Sequence, residues 1–178
     1  MASFYATKVI TTGVGGLVAG RAELLDRIRD LRQYDKRASW RLRYSYKLDE
    51  LAAALGLWQL EQLPDMLARR QAIARQYQHE WGILLGEQRS IGARSLIYRY
   101  TLRDGRFDDR LFARLTDGGV QACRPVNPPL SRVTGEPCPE AELAYAETVS
   151  VPCYPDLRPA EVRRVREVVR GALERICG

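Results

Sequence analysis

Apolar positions near the amino terminus come in short runs broken by small polar residues. Residues 4–10, FYATKVI, are β-prone, and residues 11–20, TTGVGGLVAG, place a glycine turn ahead of a second apolar run, so two short strands are expected. The period then changes. Leu24, Leu25, Ile28 and Leu31 recur at helical spacing, with Glu23 and Asp26 early and Arg32 late, as the helix dipole favours. Residues 33–47, QYDKRASWRLRYSYK, carry no clear period and read as an extended, partner-dependent loop. Leu48, Leu51, Ala52 and Leu55 predict a second helix that ends near Leu63, because Pro64 cannot continue it. Pro64 suits the first turn of a third helix, whose apolar stripe is Met66, Ile73, Tyr77, Trp81 and Leu84 with Arg69, Arg70 and Arg75 outside.

Around residues 86–95, GEQRSIGARS, the helical pattern gives way to a mixed one, which predicts a boundary near Gly86 and two parts, 1–86 and 87–178. The second part reads as a small α+β unit. Leu96, Tyr98, Tyr100 and Leu102 alternate as one face of a strand, and residues 108–119, DDRLFARLTDGG, form a helix closed by Gly118 and Gly119. Val120 to Cys123 suggests another strand, and residues 125–139 a long proline-rich loop. A short helix near Glu140 to Thr148 precedes a last helix from Pro159, on which Val162, Val165, Val169, Leu173 and Ile176 align.

Composition narrows the class. With 178 residues, 46% hydrophobic and 28% charged, the chain can bury a real core and is neither disordered nor fibrous. No apolar run approaches the roughly 18 residues of a spanning helix. The first twenty residues carry their only charge at Lys8 in mid-run and lack the regions of a signal peptide, so a cytoplasmic protein is expected. The balance of 28 basic against 22 acidic side chains permits anionic partners, and only Lys8, Lys36 and Lys47 among the basic residues are lysines. Cys123, Cys138, Cys153 and Cys177 form no C-x-x-C pair, and His79 is the one histidine, so reduced thiols are expected and a metal site is not. His79 reads as a solvated helix residue. Between Arg21 and Lys47, nine basic residues meet four acidic ones, with Tyr34, Trp40, Tyr44 and Tyr46 nearby. Phosphate contacts to nucleic acid are one reading of that stretch. It lacks regularly interleaved aromatics, however, and a solvated or subunit-facing loop accounts for it better.

Ser3, Lys8 and the segment Thr11-Thr12-Gly13-Val14-Gly15-Gly16 carry the chemistry. A lysine at the end of a short strand can hold an aldehyde cofactor covalently while a serine five residues earlier takes a phosphate oxygen. S-F-x-x-x-K followed by T-T-G-x-G-G resembles the lysine signature of the DegT/DnrJ/StrS family of pyridoxal-phosphate sugar aminotransferases. Residues 44–56, YSYKLDELAAALG, with Gln59 and Leu60, are similar to that family's Y-N-Y-R-L-x-E-L-Q-A-A-L-G…Q-L segment. Residues 67–71, LARRQ, resemble the helix behind it, and residues 151–165, VPCYPDLRPAEVRRV, resemble its closing motif.

The resemblance covers nearly the whole chain and implies an α/β fold: the C-terminal portion of an aspartate-aminotransferase-like, fold type I enzyme. Residues 1–86 would belong to the large cofactor domain and 87–178 to the small α+β domain. Lys8 sits at the Schiff-base lysine, Ser3 at the phosphate-binding serine, and Ser45 at the asparagine that reaches the neighbouring subunit's phosphate. Val14 replaces a glutamate, and residues 124–129, RPVNPP, replace a histidine-containing segment near the substrate, which makes Arg124 and Asn127 candidates for orienting a sugar or nucleotide. The implied cofactor is pyridoxal 5'-phosphate; the implied partners are an amino-acid donor, a nucleotide-linked keto-sugar, and a second copy or a complementary N-terminal half. In the family about half the protein precedes the lysine, including the carboxylate on the ring nitrogen, whereas seven residues precede Lys8 here. The expectation is therefore a C-terminal half that is not competent alone, the alternative being a non-catalytic remnant or interaction module.

Overall fold

A computed structural model of the protein describes residues 1–85, 95–125 and 127–177. They divide into two compact units, Met1–Pro64 and Asp65–Gly178. The boundary expected near Gly86 lies outside the described residues.

In the first unit, β1 (Ala2–Ser3) pairs antiparallel with β2 (Gly16–Leu17), Ala2 opposite Leu17 and Ser3 opposite Gly16. The chain between them folds back on itself: Phe4 N donates to Gly15 O at 3.0 Å, Thr12 N to Phe4 O at 3.0 Å, and Lys8 N to Tyr5 O at 2.9 Å. Residues 4–10 therefore turn rather than extend, contrary to their β-prone composition. The Phe4 carbonyl is also taken by Thr11 Oγ1, at 3.1 Å, which ends the ladder after two residues. Gly16 is the close point, since a Cβ there would stand 2.7 Å from Ala2 O. Helix α1 (Ala22–Arg32) forms as expected but has no buried residue, and Leu24 and Leu31 stay 51% and 41% exposed. Residues 33–49 hold neither helix nor strand, as the missing period predicts.

Helix α2 runs unbroken over Glu50–Leu85 with Pro64 inside it, so the expected break at Leu63 does not occur. A proline in a helix interior loses one backbone donor and crowds the preceding turn, at about 3 kcal/mol. Here the Ala-, Leu-, Gln- and Arg-rich stretches on both sides favour helix strongly enough to offset it. The division between the units falls at this proline.

The second unit begins in α2 and continues with β3 (Tyr100–Arg103), α3 (Asp109–Asp117), α4 (Ser131–Thr134), α5 (Pro139–Glu147), β4 (Thr148–Val151) and α6 (Pro159–Cys177). β3 and β4 pair antiparallel, Tyr100 opposite Val151 and Arg103 opposite Thr148, and Cys123 adds a single bridge to Ser150. The strand alternation thus starts at Tyr100. Leu96 and Tyr98 lie outside it, 64% and 38% exposed, and the expected strand at Val120–Cys123 reduces to that one bridge. The proline-rich loop contains α4. Ile73, Tyr77 and Trp81 from α2, Leu111 and Leu115 from α3, and Val162, Val165, Val169 and Leu173 from α6 close over β3 and β4. Tyr77 stacks on Trp81 with ring centroids 4.5 Å apart, and Tyr100 meets both edge-on. Two arginines expected outside turn inward instead: Arg69 donates to Leu157 O at 2.8 Å, and Arg70 to Cys153 O at 2.7 Å and Tyr98 O at 3.1 Å. Loop carbonyls facing the helix need donors, and long guanidinium arms supply them. Among the described residues no helix is long and apolar enough to cross a membrane.

Candidate functional site

The lysine sits on the loop between β1 and β2. Lys8 closes the turn that begins at Tyr5, and its side chain is exposed, as is that of Ser3. Ser3 Oγ accepts the Tyr5 N–H at 3.3 Å, which leaves its own hydroxyl proton free to donate. Farther along, Gly13 N donates to Thr11 Oγ1 at 2.9 Å, and the Thr12 hydroxyl bonds Val14 O. Gly13 and Gly15 take φ of +80° and +109°, conformations that only glycine adopts without strain. At Gly15 a Cβ would also stand 2.7 Å from Leu48 Cδ1.

Helix α2 pins this loop. Thr11 N donates to Gln59 Oε1 at 2.9 Å, and Gln59 Nε2 donates to Thr11 O at 2.8 Å. One turn earlier, Gly56 faces Thr12: a Cβ at residue 56 would meet Thr12 Cγ2 at 2.9 Å. Neither residue announces itself in the sequence as part of a site. The available signals are a glycine inside an Ala/Leu-rich helix and a glutamine within the segment that resembles the family.

A primary amine on a braced loop and a hydroxyl at the end of the strand before it are the group types that an aldehyde and a phosphate take. By chemical type, Lys8 and Ser3 match the aldehyde and phosphate ends of pyridoxal phosphate. Four of its carboxylates are engaged otherwise: Asp26 with Arg29, Asp30 with Arg41 and Arg43, Asp35 with Lys47, and Asp49 with Ala52 N at the start of α2. Lys47 holds the Asp35 carboxyl below its usual range. Ser45 lies exposed in the loop before α2, between Tyr44 and Tyr46, whose rings stack 5.0 Å apart.

Arg124 and Asn127 belong to the second unit. Arg124 Nη1 donates to Tyr145 O at 2.8 Å and to Ala146 O, so it closes the C-terminus of α5. Its guanidinium lies 4.5 Å from the Phe112 ring centroid and 5.2 Å from that of Tyr145, and Nη2 is 3.6 Å from Asp109 Oδ1. The guanidinium is thus committed to its own chain's carbonyls and rings. Asn127 is exposed in the loop that follows.

The sequence matches the DegT/DnrJ/EryC1/StrS aminotransferase family over residues 1–170. The chain belongs to this family. It is 30% identical to the spore coat polysaccharide biosynthesis protein SpsC of Bacillus subtilis, over 96% of this chain and 53% of SpsC. It is 31% identical to the dTDP-4-dehydro-2,3,6-trideoxy-D-glucose 4-aminotransferase of Saccharopolyspora spinosa, over 97% of this chain and 51% of that enzyme. The crystal structure of the aminotransferase TlmJ from Streptoalloteichus hindustanus superposes with a TM-score of 0.84 at 29% identity, covering 99% of this chain and 52% of TlmJ. The fold is therefore that of half a fold type I sugar aminotransferase, and the chain spans about half the length of the curated relatives it matches.

Proposed function

We propose that the chain supplies the lysine-bearing half of a pyridoxal-phosphate-dependent aminotransferase that moves an amino group from an amino acid to a nucleotide-linked keto-sugar, in the cytoplasm. The observation that carries this reading is the exposed Lys8 amine on a loop braced by Phe4, Thr11 and Gln59, with the exposed Ser3 hydroxyl at the end of the strand that leads into it. Membership of the family and relatives named as sugar aminotransferases support the substrate class.

When bound, pyridoxal phosphate supplies the electron sink that lets an amino group leave one carbon and join another. Lys8 Nζ would hold the cofactor through its aldehyde carbon and, once displaced by the incoming amine, would carry the proton between substrate and cofactor carbons. Ser3 Oγ would donate to a phosphate oxygen. Ser45 would offer a second hydroxyl to the phosphate held by a second copy of the chain, with shorter reach than an amide. Arg124 would shape the substrate side indirectly, by fixing the end of α5 beside the loop that bears Asn127. The carboxylate for the ring nitrogen and the remaining phosphate donors would come from a segment equivalent to the relatives' other half, on the same polypeptide or a separate one.

Amino transfer from glutamate or glutamine to a keto-sugar nucleotide, measured on the chain together with that segment, tests the proposal. Turnover that disappears in Lys8→Ala is expected. Turnover in Lys8→Ala equal to that of the parent would refute the role of Lys8.

A further inference from the structure

We propose that Gln59 is a positioning residue for Lys8, acting through the backbone of Thr11; the inference rests on the reading of Lys8 as the cofactor lysine. The Gln59 carboxamide spends its acceptor on Thr11 N–H, at 2.9 Å, and a donor on Thr11 C=O, at 2.8 Å. It therefore satisfies both backbone groups of one residue, as a neighbouring strand would, where the two-residue ladder of β1 and β2 has already ended. Thr11 lies three residues after Lys8, and Thr12 closes the other side of the same loop by donating to Phe4 O at 3.0 Å. With Phe4 bonded to Gly15 and Thr12, and Thr11 bonded to α2, the turn carrying Lys8 is held at both ends. Gly56 permits this docking, because any side chain there would push against Thr12. An isosteric apolar residue at position 59 would leave the Thr11 N–H and C=O without their partners, and the turn would be free to reorient.

The chain's three lysines supply an internal control, because Lys8, Lys36 and Lys47 are all exposed. The chain, assembled with the segment equivalent to the relatives' other half, is treated with pyridoxal 5'-phosphate and then borohydride, and the label on each of the chain's lysines is read by peptide mapping. Amide exchange at Thr11 is followed in parallel. In the parent, Lys8 is expected to carry more label than Lys36. In Gln59→Leu, Thr11 exchange should accelerate about tenfold and the excess label on Lys8 should fall about threefold, with Lys36, Lys47 and the helical circular dichroism unchanged. Gly56→Ala disturbs the same contact from the other residue and should lower the Lys8 excess in the same direction; it carries the test if Gln59→Leu does not fold. If both variants retain the parent's Lys8 excess, the positioning role is overturned while the role of Lys8 stands. If the parent itself shows no Lys8 excess, the reading of Lys8 falls, and this inference with it.

Discussion

Ser3 and Lys8 are five positions apart, yet they differ in what their loss should do. In the proposed site Lys8 would provide the covalent attachment, whereas Ser3 would provide one hydrogen bond to a dianionic group. Ser3→Ala should weaken cofactor affinity by about 1.5–3 kcal/mol, the range of a charge-assisted bond, while amino transfer at saturating cofactor persists. A cofactor titration of the variant in the active assembly measures this. Arg124 stands in a divergent loop, and the structure gives its guanidinium an internal task. Arg124→Ala removes bonds to the Tyr145 and Ala146 carbonyls and a cation between two aromatic rings, so thermal unfolding should reveal a loss of about 1–3 kcal/mol. What the sequence left hidden at this scale has one physical origin. Arg69, Arg70, Arg124 and Gln59 all bond backbone groups, and a carbonyl or N–H has no signature in the sequence. Lys8 and Ser3, by contrast, are candidates that side-chain chemistry itself offers.

At the scale of elements, legibility follows length and capping. Helix α3 is announced by Asp108, whose side chain accepts the Leu111 N–H at 3.1 Å, and by Gly118 and Gly119 at its end. Helix α6 is announced by a stripe of valines that the structure buries. The strands are two or four residues long, too short for alternation to set their limits. Pro64 misleads because local helix propensity on both sides outweighs one missing donor. The unburied stripe of α1 is a different case: its period is helical, but no core in its unit covers it. Close packing of α3 against α6 gives a sharper test. A Cβ on Gly118 would run into Val168 Cγ1, so Gly118→Ala should cost about 1–3 kcal/mol in chemical denaturation, whereas the same change at open Gly171, inside α6, should stabilise slightly.

Across the whole molecule, the two units differ in what holds them. The second has a continuous apolar core that shelters ionisable groups. Burial raises the Cys153 thiol to about 11, against the opposing pull of Arg70, and raises the Tyr100 phenol to about 12. Each group then prefers its protonated form more strongly folded than unfolded. The stability this represents is complete below pH 9, the ordinary value of the thiol, and is lost as the pH rises through about 11. Denaturant midpoints should therefore fall on the alkaline side, and Cys153→Ala should flatten the first part of that fall. The first unit has few buried side chains: of the core residues, all lie at or beyond Ile73. Its order rests on backbone bonds within the lysine loop, the Gln59 clamp and the ion pairs of Asp30 and Asp35.

The most direct measurement is borohydride reduction of the active assembly in the presence of pyridoxal 5'-phosphate, followed by mass analysis of the peptides. A phosphopyridoxyl group is expected on the peptide bearing Lys8, formed in proportion to the activity lost and absent from Lys8→Ala. Label confined to another lysine, or activity that survives reduction of Lys8, would contradict this expectation.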